Sequence, residues 1–230
     1  MIKLVAFDWN GTLIADMQAV HKTDNAVLKS MGAEPVDLKT LQEKYDVPII
    51  NYFMNVGVKK ETVIKNVELN RKVFYENYEK EAKNARTRSN ARAVLKWLQT
   101  KKIGCIVFSN NTLESILGHA KRLKISGYFK EILAASLPGL ALSTRTKNVM
   151  LQEYLKEKEI QPDEILIVGD TIEEIQIAKS IGSMVCSITH GNCSTRRLKA
   201  AKPDYLISDL GQIINIVRKI NSQIPQTPDP

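Results

Sequence analysis

Six short apolar runs rich in β-branched residues recur along the chain, at residues 2–7, 105–109, 132–136, 165–169, 184–189 and 204–208. Runs of this length and composition read as strands buried on both faces. Helix-period stretches at 113–123, 149–158 and 173–181 separate the later runs, so strand and helix alternate. Strands joined by crossover helices pair in parallel, and the expected fold class is α/β, with a doubly wound parallel sheet as its core.

Residues 16–88 break the alternation. They carry apolar positions at helical spacing, Val20, Val27, Leu28 and Met31 and then Val63, Val67, Val73 and Phe74, with no run that reads as a buried strand. The expectation is an all-helical insertion over 16–88, with the core formed by 1–15 and 89–221. A chain of 230 residues has room for one full domain and one smaller one. Residues 222–230 are polar with three prolines and are expected to form a disordered tail.

Composition narrows the function classes. No apolar run reaches the roughly 20 residues that span a bilayer, and the opening segment lacks a signal-peptide layout, so a soluble, cytoplasmic protein with no membrane partner is expected. Cys105, Cys186 and Cys193 show no metal-ligand spacing, and Cys105 and Cys186 sit in apolar runs as reduced structural thiols do. Lys and Arg exceed Asp and Glu by 33 to 25, but the excess is spread along helix-like stretches without interleaved aromatics. That pattern suits a solvated surface that attracts small anions, and makes a nucleic-acid partner unlikely. A monomer or homodimer is expected.

Polar residues cluster where the runs end: Asp8 with Asn10, Gly11 and Thr12; Ser109 with Asn110; Lys147; and Asp170 with Glu173 and Glu174. Each cluster alone also reads as turn or cap chemistry. In an open parallel sheet, however, the carboxyl ends of neighbouring strands face one crevice, which would bring the four together. A carboxylate there can attack phosphorus, Mg²⁺ held by Asp8 and Asp170 can neutralise the phosphoryl charge, and Lys147, Thr12 and Ser109 can bind its oxygens.

The order FDWNGTL (7–13), VFSNN (107–111), Lys147 and VGDTIEE (168–174) resembles the four-motif pattern of the haloacid dehalogenase superfamily. The later stretch 188–210 is similar to the phosphoglycolate phosphatase-like branch. The resemblance implies a Rossmann-like core with a helical cap, Asp8 as nucleophile, Mg²⁺ as cofactor and a small phosphorylated substrate. It further implies a catalytic set of Asp8, Asn10 and Lys147, phosphoryl binding by Thr12, Ser109, Asn110 and Lys147, and a metal site of Asp8, Asn10, Asp170 and Glu174, the last acting through water. The stretch 188–210 carries no identifiable chemistry of its own. Cap residues Asp16, His21, Asn51, Tyr52, Arg71 and Tyr75 are candidate substrate contacts.

One position departs from the pattern. Where the family's phosphatases carry an acid two residues after the nucleophile, this chain has Asn10, which cannot exchange a proton near neutral pH. The expected function is therefore a slow Mg²⁺-dependent phosphatase. The alternatives are a phosphate-ligand sensor of the same fold or, less favoured, a haloacid dehalogenase.

Overall fold

The computed structural model describes residues 1–135 and 147–222. In chain order the elements are β1 (Leu4–Phe7), β2 (Ile14–Ala15), α1 (Met17–Ser30), α2 (Leu38–Lys44), α3 (Ile49–Asn55), α4 (Lys60–Lys65), α5 (Val67–Ala82), β3 (Arg86–Thr87), α6 (Ala91–Thr100) and β4 (Gly104–Thr112). There follow α7 (Leu113–Arg122), β5 (Glu131–Ala135), α8 (Lys147–Glu157), β6 (Ile165–Gly169), α9 (Ile172–Ile181), β7 (Met184–Ile188), α10 (Thr195–Ala201), β8 (Tyr205–Ile207) and α11 (Gln212–Ser222).

Among the described residues six strands form one sheet in the order β5-β4-β1-β6-β7-β8, every adjacent pair parallel. The chain steps outward from β1 through β4 to β5, then returns to β6 on the other side of β1 and steps outward again. Strand order therefore reverses at β1, the position where an open α/β sheet leaves a crevice at the carboxyl ends of its strands.

Side-chain alternation explains why the strands read as unbroken apolar runs. Val5 and Phe7 face a layer built from α6, α7 and α11, including Leu95, Leu98, Ile116 and Ile213. Leu4 and Ala6 face the opposite layer, with Leu151, Leu155, Ile175 and Leu198 of α8, α9 and α10. Both faces are covered, so neither set of alternating positions is polar.

The interval expected to be a helical insertion holds α1 to α5, with an apolar centre of Val27, Leu28, Leu41, Tyr52, Phe53 and Val63. Its ends are joined by a short antiparallel ribbon, Ile14 opposite Thr87 and Ala15 opposite Arg86. Two residues per strand are too few to leave a period-two signal, which is why the sequence showed no strand there. Three other boundaries shift. The strand expected at 105–109 runs on through polar residues to Thr112, with a register irregularity between Ser109 and Thr112. The helix expected from 149 begins at Lys147, so that lysine opens a helix instead of lying in a loop. Ser222, expected to open the disordered tail, instead ends α11, while Ser136, expected to end its strand, and residues 223–230 of the tail lie outside the described residues.

Leu166, fully buried on the central strand β6, packs into the α6 layer. Leu166→Ala is expected to lower unfolding free energy by about 2–5 kcal/mol, read from urea unfolding with an unchanged m-value.

Candidate active site

The segment after β1 turns sharply. Asp8 N still bonds Val168 O at 2.8 Å, continuing the ladder with β6, while Leu13 N and Ile14 N both return to Trp9 O. Trp9 packs into the core beneath, so the neighbouring Asp8 side chain is left facing the crevice. Gly11 has φ +71, and a Cβ there would lie 2.5 Å from Asp170 Oδ2. Both facts demand glycine.

Lys147, at the first turn of α8, sends its side chain into the same crevice and is 2% exposed. Its Nζ donates to Asp8 Oδ1 at 2.7 Å and to Glu174 Oε1, lies 3.9 Å from Glu173 Oε2, and sits 4.4 Å from the centre of the Phe108 ring. Burial opposes the lysine charge, yet Asp8, Glu174 and Glu173 together hold its pKa above the usual value. Burial raises the Asp8 carboxyl to about 8 and Glu173 to about 7, against the pull of Lys147. Glu174 is also penalised by burial, but Lys147 and Thr171 keep it below the ordinary range.

Asp170 is completely buried, and burial beside Glu174 raises its pKa to about 6. Thr12 Oγ1 donates to Asp170 Oδ1 at 2.7 Å, and Asn192 donates to Oδ2 through its backbone N at 2.5 Å and its Nδ2 at 3.0 Å. Gly191 lets that backbone approach, because a Cβ there would run into the Asp170 carboxylate. Asn192 and Gly191 come from the stretch in which no chemistry was identified, and the missed signal was a Gly-Asn pair in the loop that follows an apolar strand.

Several sequence expectations meet a different geometry. Thr12, expected on the phosphoryl group, spends its hydroxyl on Asp170. Glu174, expected to reach a cation through water, bonds Lys147 and caps its own helix through Thr171 N at 3.0 Å and Thr171 Oγ1 at 2.6 Å. Asn110 is exposed and donates to Glu173 at 2.8 Å, whereas its buried neighbour Asn111 turns inward to Asn10 Oδ1 at 3.2 Å. Ser109 is buried, two residues beyond the β4 partner of Phe7, and its Oγ accepts from Asn111 N at 3.2 Å.

Asn10 is tightly held. Its Nδ2 donates to Asp16 Oδ2 at 2.5 Å and approaches Tyr78 Oη at 2.7 Å, and Tyr78 in turn donates to Asp16. Asp16 also accepts from Gly11 N at 2.8 Å, so this residue buttresses the turn, with a carboxyl that burial pushes upward. Of the other insertion candidates, His21 bonds Val36 O, Arg71 pairs with Glu68 on its own helix, Tyr75 meets Phe74 edge-on and Tyr52 is fully buried. Asn51 is half-buried, with its backbone N bonded to Pro48 O.

Four carboxyls, those of Asp8, Asp170, Glu173 and Glu174, thus share the single ammonium of Lys147. Among the described residues no three His, Cys, Asp or Glu side chains converge as a complete ligand group. An all-oxygen cluster with surplus negative charge and a partial ligand set fits a hard divalent ion that keeps waters and substrate oxygens in its shell. The three cysteines are free and buried, and no helix among the described residues is long and apolar enough to cross a membrane.

Comparison with known proteins places the chain in a family. Residues 5–188 match the model of the haloacid dehalogenase-like hydrolase family. PpaX of Clostridium perfringens, provisionally named a pyrophosphatase, is 24% identical over 96% of this chain and all of its own length. A phosphoglycolate phosphatase of Pseudomonas fluorescens is 24% identical over 92% of this chain and 78% of its own. A haloacid dehalogenase-like hydrolase from Streptococcus pneumoniae shares the fold with a TM-score of 0.79 at 20% identity, covering 94% of this chain and 98% of that one. With most of its length matched by the family model, the chain belongs to the haloacid dehalogenase-like hydrolases.

Proposed function

We propose that the chain is a Mg²⁺-dependent phosphatase that hydrolyses a small phosphorylated metabolite through an aspartyl phosphate on Asp8. The observation that carries this reading is the buried ammonium of Lys147, bonded to Asp8 and Glu174 beside Asp170 at the point where strand order reverses. The phosphatase names of its relatives point the same way.

Asp8 supplies the attacking oxygen. Its carboxylate forms a bond to phosphorus as the ester oxygen leaves, and water then attacks the acyl phosphate, releasing phosphate and regenerating the carboxylate. Mg²⁺, held by Asp8 and Asp170 and the Asn10 backbone carbonyl, would neutralise the phosphoryl charge and draw the Asp8 carboxyl into its ionised form. Lys147 holds the nucleophile in place and presents positive charge toward the phosphoryl oxygens, with Ser109 as a hydroxyl donor. Glu174 serves as the counter-ion of Lys147, and Thr12 and Asn192 orient Asp170.

Asn10 cannot protonate the departing oxygen, so the leaving group must take its proton from water and turnover is slow for poor leaving groups. A second reading, a sensor that binds the same ligands without turnover, is favoured by the way Asp16, Tyr78 and Asn111 immobilise the Asn10 carboxamide. A carbon-centred dehalogenation would leave the anionic surroundings of Asp170 without a purpose.

Phosphate release from p-nitrophenyl phosphate is expected to require Mg²⁺ and to vanish in Asp8→Asn, while Asn10→Asp raises turnover of alkyl phosphates by roughly 10²–10⁴. Absence of turnover in both the native chain and Asn10→Asp, with ligand binding retained, would favour the sensor. Asn192→Ala is expected to weaken Mg²⁺ binding by up to about 10-fold in a calorimetric titration, because Asp170 loses the side-chain donor on Oδ2 while keeping the backbone N of residue 192 and Thr12.

A further inference from the structure

One cation beside the crevice has no part in the chemistry above. Arg88 stands one residue past β3, where the chain leaves the helical insertion, and its backbone N donates to Leu13 O at 2.9 Å, which fixes it next to the turn after Asp8. Its guanidinium is half-buried, and among the described residues it has no carboxylate within ion-pair distance. It donates instead to three backbone carbonyls: from Nη1 to Gly11 O at 3.2 Å and His190 O at 3.1 Å, and from Nη2 to Thr189 O at 2.8 Å. A planar guanidinium ordinarily pairs with a carboxylate or phosphate, and partial burial without one is unfavourable. A fork committed to three carbonyls fixes backbone.

Those carbonyls belong to the two loops that carry the reacting acids. Gly11 lies three residues after Asp8 with φ +71, and its N donates to Asp16. Thr189 and His190 follow β7 and lead to Asn192, whose backbone N and Nδ2 both donate to Asp170 Oδ2. His190 has φ +64, in the left-handed region that a residue with a Cβ rarely holds without outside support. Its ring is exposed, so burial does not supply that support. The Thr189 and His190 carbonyls sit in the two peptide groups on either side of the His190 Cα. Anchoring both to one guanidinium sets the torsions between them.

We propose that Arg88 is a positioning residue that holds the 189–192 loop in its strained form, so that Asn192 keeps both donors on Asp170, and that ties this loop to the turn carrying Asp8. Because Arg88 closes the insertion, the seat of the insertion and the orientation of Asp170 are joined through one side chain. The consequence for Mg²⁺ binding rests on the phosphatase reading, whereas the effect on the loop does not. A role as a point charge makes the opposite forecast: a cation near Asp170 repels a divalent ion, so its removal would tighten Mg²⁺ binding, while loss of positioning weakens it.

The test measures amide hydrogen exchange by NMR in metal-free native chain, Arg88→Ala, Arg88→Lys and the double variant Arg88→Ala with His190→Gly, and then titrates each with Mg²⁺ by calorimetry. In Arg88→Ala the Asn192 amide is expected to exchange at least about tenfold faster, and Mg²⁺ to bind about tenfold more weakly. Arg88→Lys, which keeps the charge and loses the fork, is expected to fall between Arg88→Ala and the native chain. The double variant is expected to regain part of both losses, because glycine adopts positive φ without strain. Unchanged exchange at Asn192 in Arg88→Ala, Mg²⁺ affinity that is unchanged or tighter, full retention in Arg88→Lys, or a double variant no better than Arg88→Ala each overturns the proposal. Should Arg88→Ala not fold, Arg88→Lys is read by the same two measurements, and native behaviour in both overturns it. Turnover of p-nitrophenyl phosphate by the native chain with unchanged exchange in Arg88→Ala strikes the role of Arg88 and leaves the phosphatase reading standing; faster exchange without turnover in the native chain does the reverse.

Discussion

The ammonium of Lys147 is the interaction around which the crevice is organised. A charge taken out of water costs several kcal/mol unless it is paired, and here one cation joins Asp8 after β1, Glu174 on α9 and the ring of Phe108 on β4 to the start of α8. Four elements distant in sequence are thereby tied at one point. The same pairing leaves the surrounding carboxyls with surplus negative charge, the condition that makes the crevice attractive to a divalent ion and to a phosphoryl group bound with it.

That point can exist only because of the sheet order. Parallel strands present all their carboxyl ends to one side, and reversal of strand order at β1 separates the crossover helices so that the loops following β1, β4 and β6 are not covered. The helical insertion then closes over this opening. Gln42 of α2 donates to Gly191 O, Ser194 N donates to Gln42 O, and Arg197 donates to Tyr45 O. The segment that seats the insertion is also the segment that holds Asp170 through Asn192. Docking of the insertion and orientation of an inner acid therefore depend on the same few backbone groups.

Much of this was legible in the residues. Strand positions followed from apolar runs whose two faces are both covered, and the insertion from apolar residues at helical spacing. Asp8, Ser109, Lys147 and Asp170 come together because each stands at or just beyond a strand end or opens the helix that follows. The details were less legible where one residue decides the direction of a side chain. Asn110 and Asn111 are chemically identical, yet the irregular end of β4 turns the first to solvent and the second to Asn10. Thr12 and Glu174 carry ligand-type oxygens that bond neighbours, Asp170 in one case and Lys147 with Thr171 in the other.

Local patterns by themselves determined the element types, their alternation, the parallel sheet and the identity of the acids at its carboxyl edge, because apolar periodicity and turn residues act over a few positions at a time. Only the tertiary structure decided how those acids are shared: which oxygens face Lys147, which are held by Asn192, how Asp16 and Tyr78 fix Asn10, and that Asp24 is sealed in without a partner. These are contacts between residues up to 139 positions apart. Their geometry depends on desolvation and on the competition of several donors for one acceptor, quantities that no local window of sequence contains.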